Sequence, residues 1–243
     1  MTTGTLFGIG VGPGDPELIP VKAVRILGSV DRVFSASSTK NDYSLAVEIA
    51  RGHIPQHTDI EELKFPMCRE RTEMKDAWRH NAGRIAAFLE TGRSAAFLTL
   101  GDPLTYSTYG YILRDLQSGW PHLKVVTIPG ITSYQAAAAS TNQPLVEGEE
   151  SLLIMSGVHG GERFARMTEK PDNVVFLKAY RNVDGICHAL ETADMCADSV
   201  AVVNCSRADE KIIADLEVLR RQKPNYWTLI IARQKRHDRT EEK

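Results

Sequence analysis

Apolar residues come in two rhythms along this chain. Short runs of β-branched and other apolar residues at 5–11, 32–35, 94–100, 124–128, 151–155, 173–178, 199–204 and 226–232 predict strands. Elsewhere the apolar positions return every three to four residues. The clearest case is 69–90, where Met74, Ala77, Trp78, Ala82, Ile85, Phe88 and Leu89 make one apolar face and basic residues fill the other. That spacing predicts an amphipathic helix. Shorter helices are predicted over 18–27 and 108–116. Strands alternating with helices predict an α/β protein with largely parallel sheets. Turn residues gather at 118–123, before the apolar rhythm starts again. The pattern therefore predicts an N-terminal α/β domain over 1–120 and a C-terminal one over 121–235. A polar tail closes the chain at 236–243, with fraying expected from Arg233 onward.

Composition narrows the picture without sharpening it. The 243 residues are 42% hydrophobic and 25% charged, as in an ordinary globular protein. A net charge of −2 supplies no field that would draw the chain onto nucleic acid or an anionic membrane, so neither partner is expected. No apolar run approaches the roughly 20 residues that span a bilayer, and the first residues show no signal-peptide pattern. Cys68, Cys187, Cys196 and Cys205 are scattered without a CxxC pair, which favours reduced thiols in the cytoplasm. A protein-bound metal is not expected. His53 and His57 flank Pro55, and Cys187, His188, Cys196 and Cys205 lack zinc-ligand spacing.

The candidate chemistry lies in three loops, each after a predicted strand. They are Gly8-Ile9-Gly10-Val11-Gly12-Pro13-Gly14-Asp15-Pro16, Thr99-Leu100-Gly101-Asp102-Pro103 and Pro129-Gly130-Ile131-Thr132-Ser133. Ligands of parallel sheets bind beyond the carboxyl ends of strands. A dinucleotide fingerprint fails in both registers, because its third glycine would fall on Pro13 or on Asp15. No phosphate-binding P-loop is present either. Asp15 and Asp102 would repel a phosphate but not a sulfonium or an amino group. Each loop alone is also readable as a plain turn; three stiff loops ending three strands are less easily read so.

These loops, in this order and spacing over residues 4–233, resemble the tetrapyrrole methylases. The resemblance implies two α/β domains with an active-site cleft between them, S-adenosylmethionine as methyl donor, and a homodimer. Finer features resemble the precorrin-2 and cobalt-factor II C20-methyltransferases: Phe65-Pro66-Met67, Trp78, the stretch from Phe97 to Tyr109, and 145–150. The uroporphyrinogen methylases differ by a Tyr-Asp pair where this chain has Phe34-Ser35, and by a second glycine where it has Leu100. Another tetrapyrrole methylase, such as a uroporphyrinogen or later precorrin enzyme, is the nearest alternative. That alternative includes a family member acting on diphthine or ribosomal RNA, although an RNA acceptor would favour a more basic chain; a non-catalytic cofactor-binding relative is the second alternative.

Carried over residue by residue, the resemblance implies cofactor contacts from Pro13, Leu100, Gly101, Asp102, Thr105, Tyr106, Thr132, Ser133 and Met155. The residues alone leave alternatives open. Met155 also reads as a core methionine, and Thr132 and Ser133 as helix caps. The implied substrate is precorrin-2 or cobalt-factor II, whose carboxylates call for scattered cations. Lys40, Arg69, Arg71, Lys75, Arg79, His80 and Arg84 are the candidates, and each reads equally as solvated surface charge. The implied reaction is in-line displacement at the sulfonium methyl by an enamine-like carbon, positioned about 3 Å away. Asp15, Asp102 and Tyr106 are candidates for accepting the proton that leaves afterwards.

Overall fold

A computed structural model describes residues 2–38, 44–66 and 70–235, with only the backbone of Ser38 and Arg71. The chain divides into two compact units, Met1–Thr132 and Ser133–Lys243.

The first unit contains β1 (Thr5–Gly10), α1 (Val21–Leu27), β2 (Arg32–Ser38), α2 (Leu45–Ala50), β3 (Asp59–Phe65), α3 (Arg71–Glu90), β4 (Ala95–Thr99), α4 (Tyr109–Gly119) and β5 (Lys124–Ile128). Its five strands pair in the order β3-β2-β4-β1-β5, and every pairing is parallel. Successive strand residues face opposite sides. Phe34, Ala95 and Phe97 pack with Ala82, Ile85 and Leu89 of α3 and Ile112 and Leu116 of α4. Their neighbours Val33, Ala96 and Leu98 pack with Ala23, Ile26 and Leu27 of α1 and Ala46, Ile49 and Ala50 of α2. Both faces of the sheet are thus covered, which is why these strands read as continuous apolar runs.

Three expectations change here. The turn at 118–123 does not end the first unit. β5 returns to pair with β1, so the division falls between Thr132 and Ser133. The helix predicted over 18–27 starts at Val21, because Pro20 holds Ile19 extended at φ −71°, ψ 129°. β3 is not among the expected strands, because charged residues interrupt its apolar positions Ile60, Leu63 and Phe65. It is an edge strand whose Glu61 binds Arg32 and Arg84, each at 2.5 Å.

The second unit contains α5 (Ser133–Thr141), β6 (Leu152–Ser156), α6 (Glu162–Ala165), β7 (Asn173–Leu177), α7 (Val183–Thr192), β8 (Val200–Val203), β9 (Lys211–Ile213), α8 (Leu216–Arg221) and β10 (Thr228–Arg233). Its sheet runs β6-β7-β10-β8-β9. Only β6 and β7 pair in parallel; β10 runs antiparallel to both β7 and β8, and β8 to β9. The expectation of parallel sheets therefore fails for this half. β7, β8 and β10 are buried at every position, and such runs report burial on both faces, not direction. Arg233, expected to fray, ends β10 in a buried position and donates to the Pro144 carbonyl. The stretch 145–150 closes as a turn, in which Glu150 accepts from Glu147 N and Asn173 Nδ2, both at 3.0 Å. Residues 236–243, Met67, Cys68, Lys40 and Arg69 lie outside the described residues.

Candidate functional site

Sheet order brings the three loops together. β4, β1 and β5 are neighbours, all parallel, so the loops after Thr99, Gly10 and Ile128 emerge side by side at the carboxyl edge of the first sheet. They are also tied to one another. Gly12 and Gly101 form a backbone bridge, with Gly101 N donating to Gly12 O at 2.7 Å and Gly12 N to Gly101 O at 3.4 Å. Gly10 and Gly130 cross in contact. A Cβ on Gly10 would stand 2.8 Å from Gly130 Cα and overlap the Gly101 carbonyl oxygen, and a Cβ on Gly130 would overlap that same oxygen. Gly12 (φ 81°) and Gly101 (φ 67°) adopt the left-handed backbone that glycine takes at little cost.

Asp102 makes the third tie. Its Oδ1 accepts from Leu104 N at 2.9 Å and from Thr105 Oγ1 at 3.2 Å, and its Oδ2 accepts from Gly130 N at 3.2 Å. Thr99 and Ser107 hydroxyls meet at 2.7 Å across the base of the same loop, and Ser107 Oγ accepts from Tyr109 N as α4 begins. Tyr109 is fully buried under β1, where a Cβ on Gly8 would overlap its ring. Burial pushes its phenol pKa up, opposed by the 2.9 Å bond to Thr127. Asp15 caps the turn at Pro16–Leu18 by accepting from Glu17 N at 2.9 Å. Pro13 is buried, and Leu100 packs on the apolar layer under α1 and α2. Tyr106 stands 52% exposed with φ 51°, a strained backbone for a residue with a side chain.

The loops at 8–16, 99–107 and 129–132 contain two carboxylates and no Lys, Arg or His. Such a set fits a ligand that carries positive charge and offers amino and hydroxyl groups, and disfavours a phosphate. The residues present therefore fit S-adenosylmethionine.

The remaining expected cofactor residues are placed separately. Thr132 is buried at the end of the first unit, and Ser133 opens α5, where its carbonyl accepts from Cys205 Sγ at 3.4 Å. Met155 is 5% exposed in β6 and packs with Phe164, Val174 and Phe176 in the core of the second unit.

A second rim escaped the sequence reading. β10 lies antiparallel between β7 and β8, so its first residues share an edge with the carboxyl ends of those strands. Lys178 (φ 59°), Asn204 (φ 53°) and Ser206 (φ 59°) sit there in left-handed backbone. Side chains hold it: Asn204 Nδ2 donates to Asp209 at 2.7 Å, Asn225 Nδ2 donates to Asn204 Oδ1 at 2.9 Å, and Glu210 accepts from Ser206 N at 2.5 Å. Tyr226 and Trp227 are exposed beside it, with Tyr180 5.5 Å from Tyr226 and Lys178 Nζ over the Tyr226 ring. Strained backbone of this kind gathers at functional sites. The available signal was Asn204 directly after an apolar strand, since asparagine tolerates the left-handed region.

The candidate acceptor cations divide. Arg84 is committed to Glu61, while Lys75, Arg79 and His80 are exposed on α3. The apolar side of α3 continues in Trp78, stacked on Tyr111 at 3.9 Å. Among the described residues, no group of three His, Cys, Asp or Glu stands together as a metal set, and no helix is long and apolar enough to cross a membrane.

The comparisons agree along the chain. The sequence model of the Tetrapyrrole (Corrin/Porphyrin) Methylases matches residues 5–219. The chain is 30% identical over 237 residues to a precorrin-2 C(20)-methyltransferase of Sinorhizobium, covering 94% of each. It is 31% identical to the cobalt-precorrin-2 C(20)-methyltransferase of Salmonella typhimurium over 73% of each chain. It is also 32% identical to the cobalamin biosynthesis protein CobIJ of Mycobacterium tuberculosis, but there the match spans 43% of the relative's length. Among solved structures the fold is similar to the cobalt precorrin-4 methyltransferase CbiF, with TM-score 0.70 and 21% identity over 94% of both chains. It is similar too to a Thermus thermophilus uroporphyrin-III C-methyl transferase complexed with S-adenosylhomocysteine, with TM-score 0.62, 21% identity, and coverage of 94% and 97%.

Proposed function

This chain belongs to the tetrapyrrole (corrin/porphyrin) methylases, and on that premise we propose that it methylates C20 of a reduced tetrapyrrole, precorrin-2 or cobalt-factor II, from S-adenosylmethionine. The observation that carries the reading is the convergence at one sheet edge of three cation-free loops, two of them bearing a carboxylate. The choice of acceptor rests on the relatives named for C20, one of which matches nearly end to end.

S-adenosylmethionine supplies an electrophilic methyl group on a sulfonium. The chain's own contribution is to hold donor and acceptor in one geometry, which converts a bimolecular encounter into an intramolecular one. Pro13 and the backbone of Leu100, Gly101 and Asp102 form a rigid seat, with the hydroxyls of Thr105, Tyr106 and Thr132 as polar partners. For Ser133 and Met155 the cofactor role rests on the resemblance alone. Asp15 and Asp102 place negative charge where the donor is cationic. For the proton that leaves the methylated carbon, Asp15 and Tyr106 are the better placed candidates, because both oxygens of Asp102 are already engaged. Lys75, Arg79 and His80 offer positive charge to acceptor carboxylates. Homodimer assembly and a cytoplasmic location belong to the same proposal, the latter supported by the free thiols of Cys187, Cys196 and Cys205.

The test is incubation with methyl-labelled cofactor and, separately, precorrin-2, cobalt-factor II and uroporphyrinogen III. Label at C20 of one of the first two is expected. Label only on uroporphyrinogen III, or cofactor binding with no transfer to any of them, overturns the reading. Light scattering at micromolar concentration tests the dimer.

A further inference from the structure

The three loops form a closed triangle of contacts, and its sides are not alike. The first and second loops meet through the Gly12–Gly101 backbone bridge. The first and third meet where Gly10 and Gly130 cross. Backbone makes both of these sides. The link between second and third loops includes a side chain, Asp102 Oδ2 accepting from Gly130 N at 3.2 Å.

The other half of the same carboxylate fixes where that oxygen stands. Oδ1 takes Leu104 N and Thr105 Oγ1, an Asx-type turn that locks the side chain over its own loop. Pro103 restricts the Asp102 backbone to extended conformations, so the carboxylate has little freedom at either end. A carboxylate receiving three donors from the protein is committed to them.

We infer that Asp102 is a positioning residue: its carboxylate staples the second loop to Gly130 of the third, and it serves the cofactor by setting the spacing of the two loop backbones. This deepens the cofactor reading above and rests on it. The inference separates Asp102 from two other roles, a direct ligand of the cofactor and the acceptor of the departing proton.

Asp102→Asn tests it. The amide keeps an oxygen for Leu104 N and Thr105 but turns an NH2 toward Gly130 N, setting donor against donor. Asp102→Ala removes both ends, and serves as the second variant if thermal melting shows that it still folds. Three quantities are read on the full chain: exchange of the Gly130 amide without ligand, affinity for S-adenosylhomocysteine, and kcat against KM for the cofactor. Asp102→Asn is expected to speed Gly130 exchange and weaken S-adenosylhomocysteine about tenfold or more, the order expected when a polar group is left without its partner. KM for the cofactor should rise while kcat at saturation stays within about threefold, since a lost general base costs on the order of a hundredfold or more in kcat. Faster exchange with unchanged affinity overturns the inference, as does weaker affinity with unchanged exchange, which marks direct contact. A collapse of kcat at unchanged KM overturns it in favour of proton acceptance. Failure of the unsubstituted protein to bind S-adenosylhomocysteine sinks the cofactor reading itself, and the positioning role with it.

Discussion

Two sheet edges in this molecule solve the same local problem by opposite means. At the first, tight backbone is made from glycine, and Gly10, Gly101 and Gly130 approach so closely that two of them have no room for a Cβ. At the second, Lys178, Asn204 and Ser206 keep their side chains in left-handed backbone, with hydrogen bonds donated to Asp209 and Glu210 and one received from Asn225. The first edge is rigid because backbones interlock. The second is rigid to the extent that side chains hold a conformation costing roughly 1–2 kcal/mol per residue. Glycine at the first is therefore a matter of space, and asparagine at the second a matter of bonding.

The largest expected effect comes from breaking the first arrangement. Gly130→Ala should destabilise the first unit by roughly 3 kcal/mol, at the upper end for overpacking, because the clashing atoms are backbone and cannot rotate away. Gly101→Ala sharpens the point. Its Cβ meets nothing closer than 3.9 Å, so only φ 67° opposes it and about 1–2 kcal/mol is expected. Thermal melts of the two variants measure the gap, and equal losses would refute the distinction between space and dihedral strain.

Next in size, Asn204→Ala should cost about 2 kcal/mol by leaving Asp209 and Asn225 without their partner. Asn204→Gly loses the same bonds but relieves φ, and should melt above the alanine variant by about 1 kcal/mol in stability. If both variants melt with the native protein, the second rim is not held as described.

Alkaline pH should loosen the second unit first. Burial pushes Cys187 up to about 11 and Cys205 up to about 12, from an ordinary 9.0. A folded-state pKa above the unfolded one means that the native unit holds the proton more tightly. Its contribution is complete below pH 9 and declines as pH climbs toward the raised values. In the first unit, Tyr109 is shifted in the same direction from 10.0, so its loss starts about one pH unit later. Hydrogen exchange resolved by peptide, stepped from pH 8 to 11, reports the order after correction for intrinsic rates. Simultaneous loosening would contradict it.

The smallest effect is Arg79→Ala. The side chain is exposed on α3, away from the loops in sequence, so cofactor affinity should not change. Any rise in KM for the acidic acceptor should be a few-fold and shrink with added salt, as screened charge requires.

Much of this was legible in the residues because it is local. Apolar period reveals strands and the long helix α3, and Gly, Pro and Asp after a strand reveal a loop that turns sharply. Order along the chain also singled out the three loops as a candidate site. What stayed hidden is what depends on partners distant in sequence. The break at 118–123 is a true turn, yet only the pairing of β5 with β1 shows that it lies inside a unit. β7, β8 and β10 are apolar throughout whichever way they run, so direction had to wait for hydrogen bonds. Asp102 was visible as a carboxylate in a stiff loop and was expected to serve ligand or proton. That both its oxygens accept from the protein, one from Gly130 in another loop, follows from the adjacency of β4, β1 and β5. A chain specifies its turns by residue type within a few positions; which turns touch is decided by strand order, where the deciding contacts lie far apart in sequence.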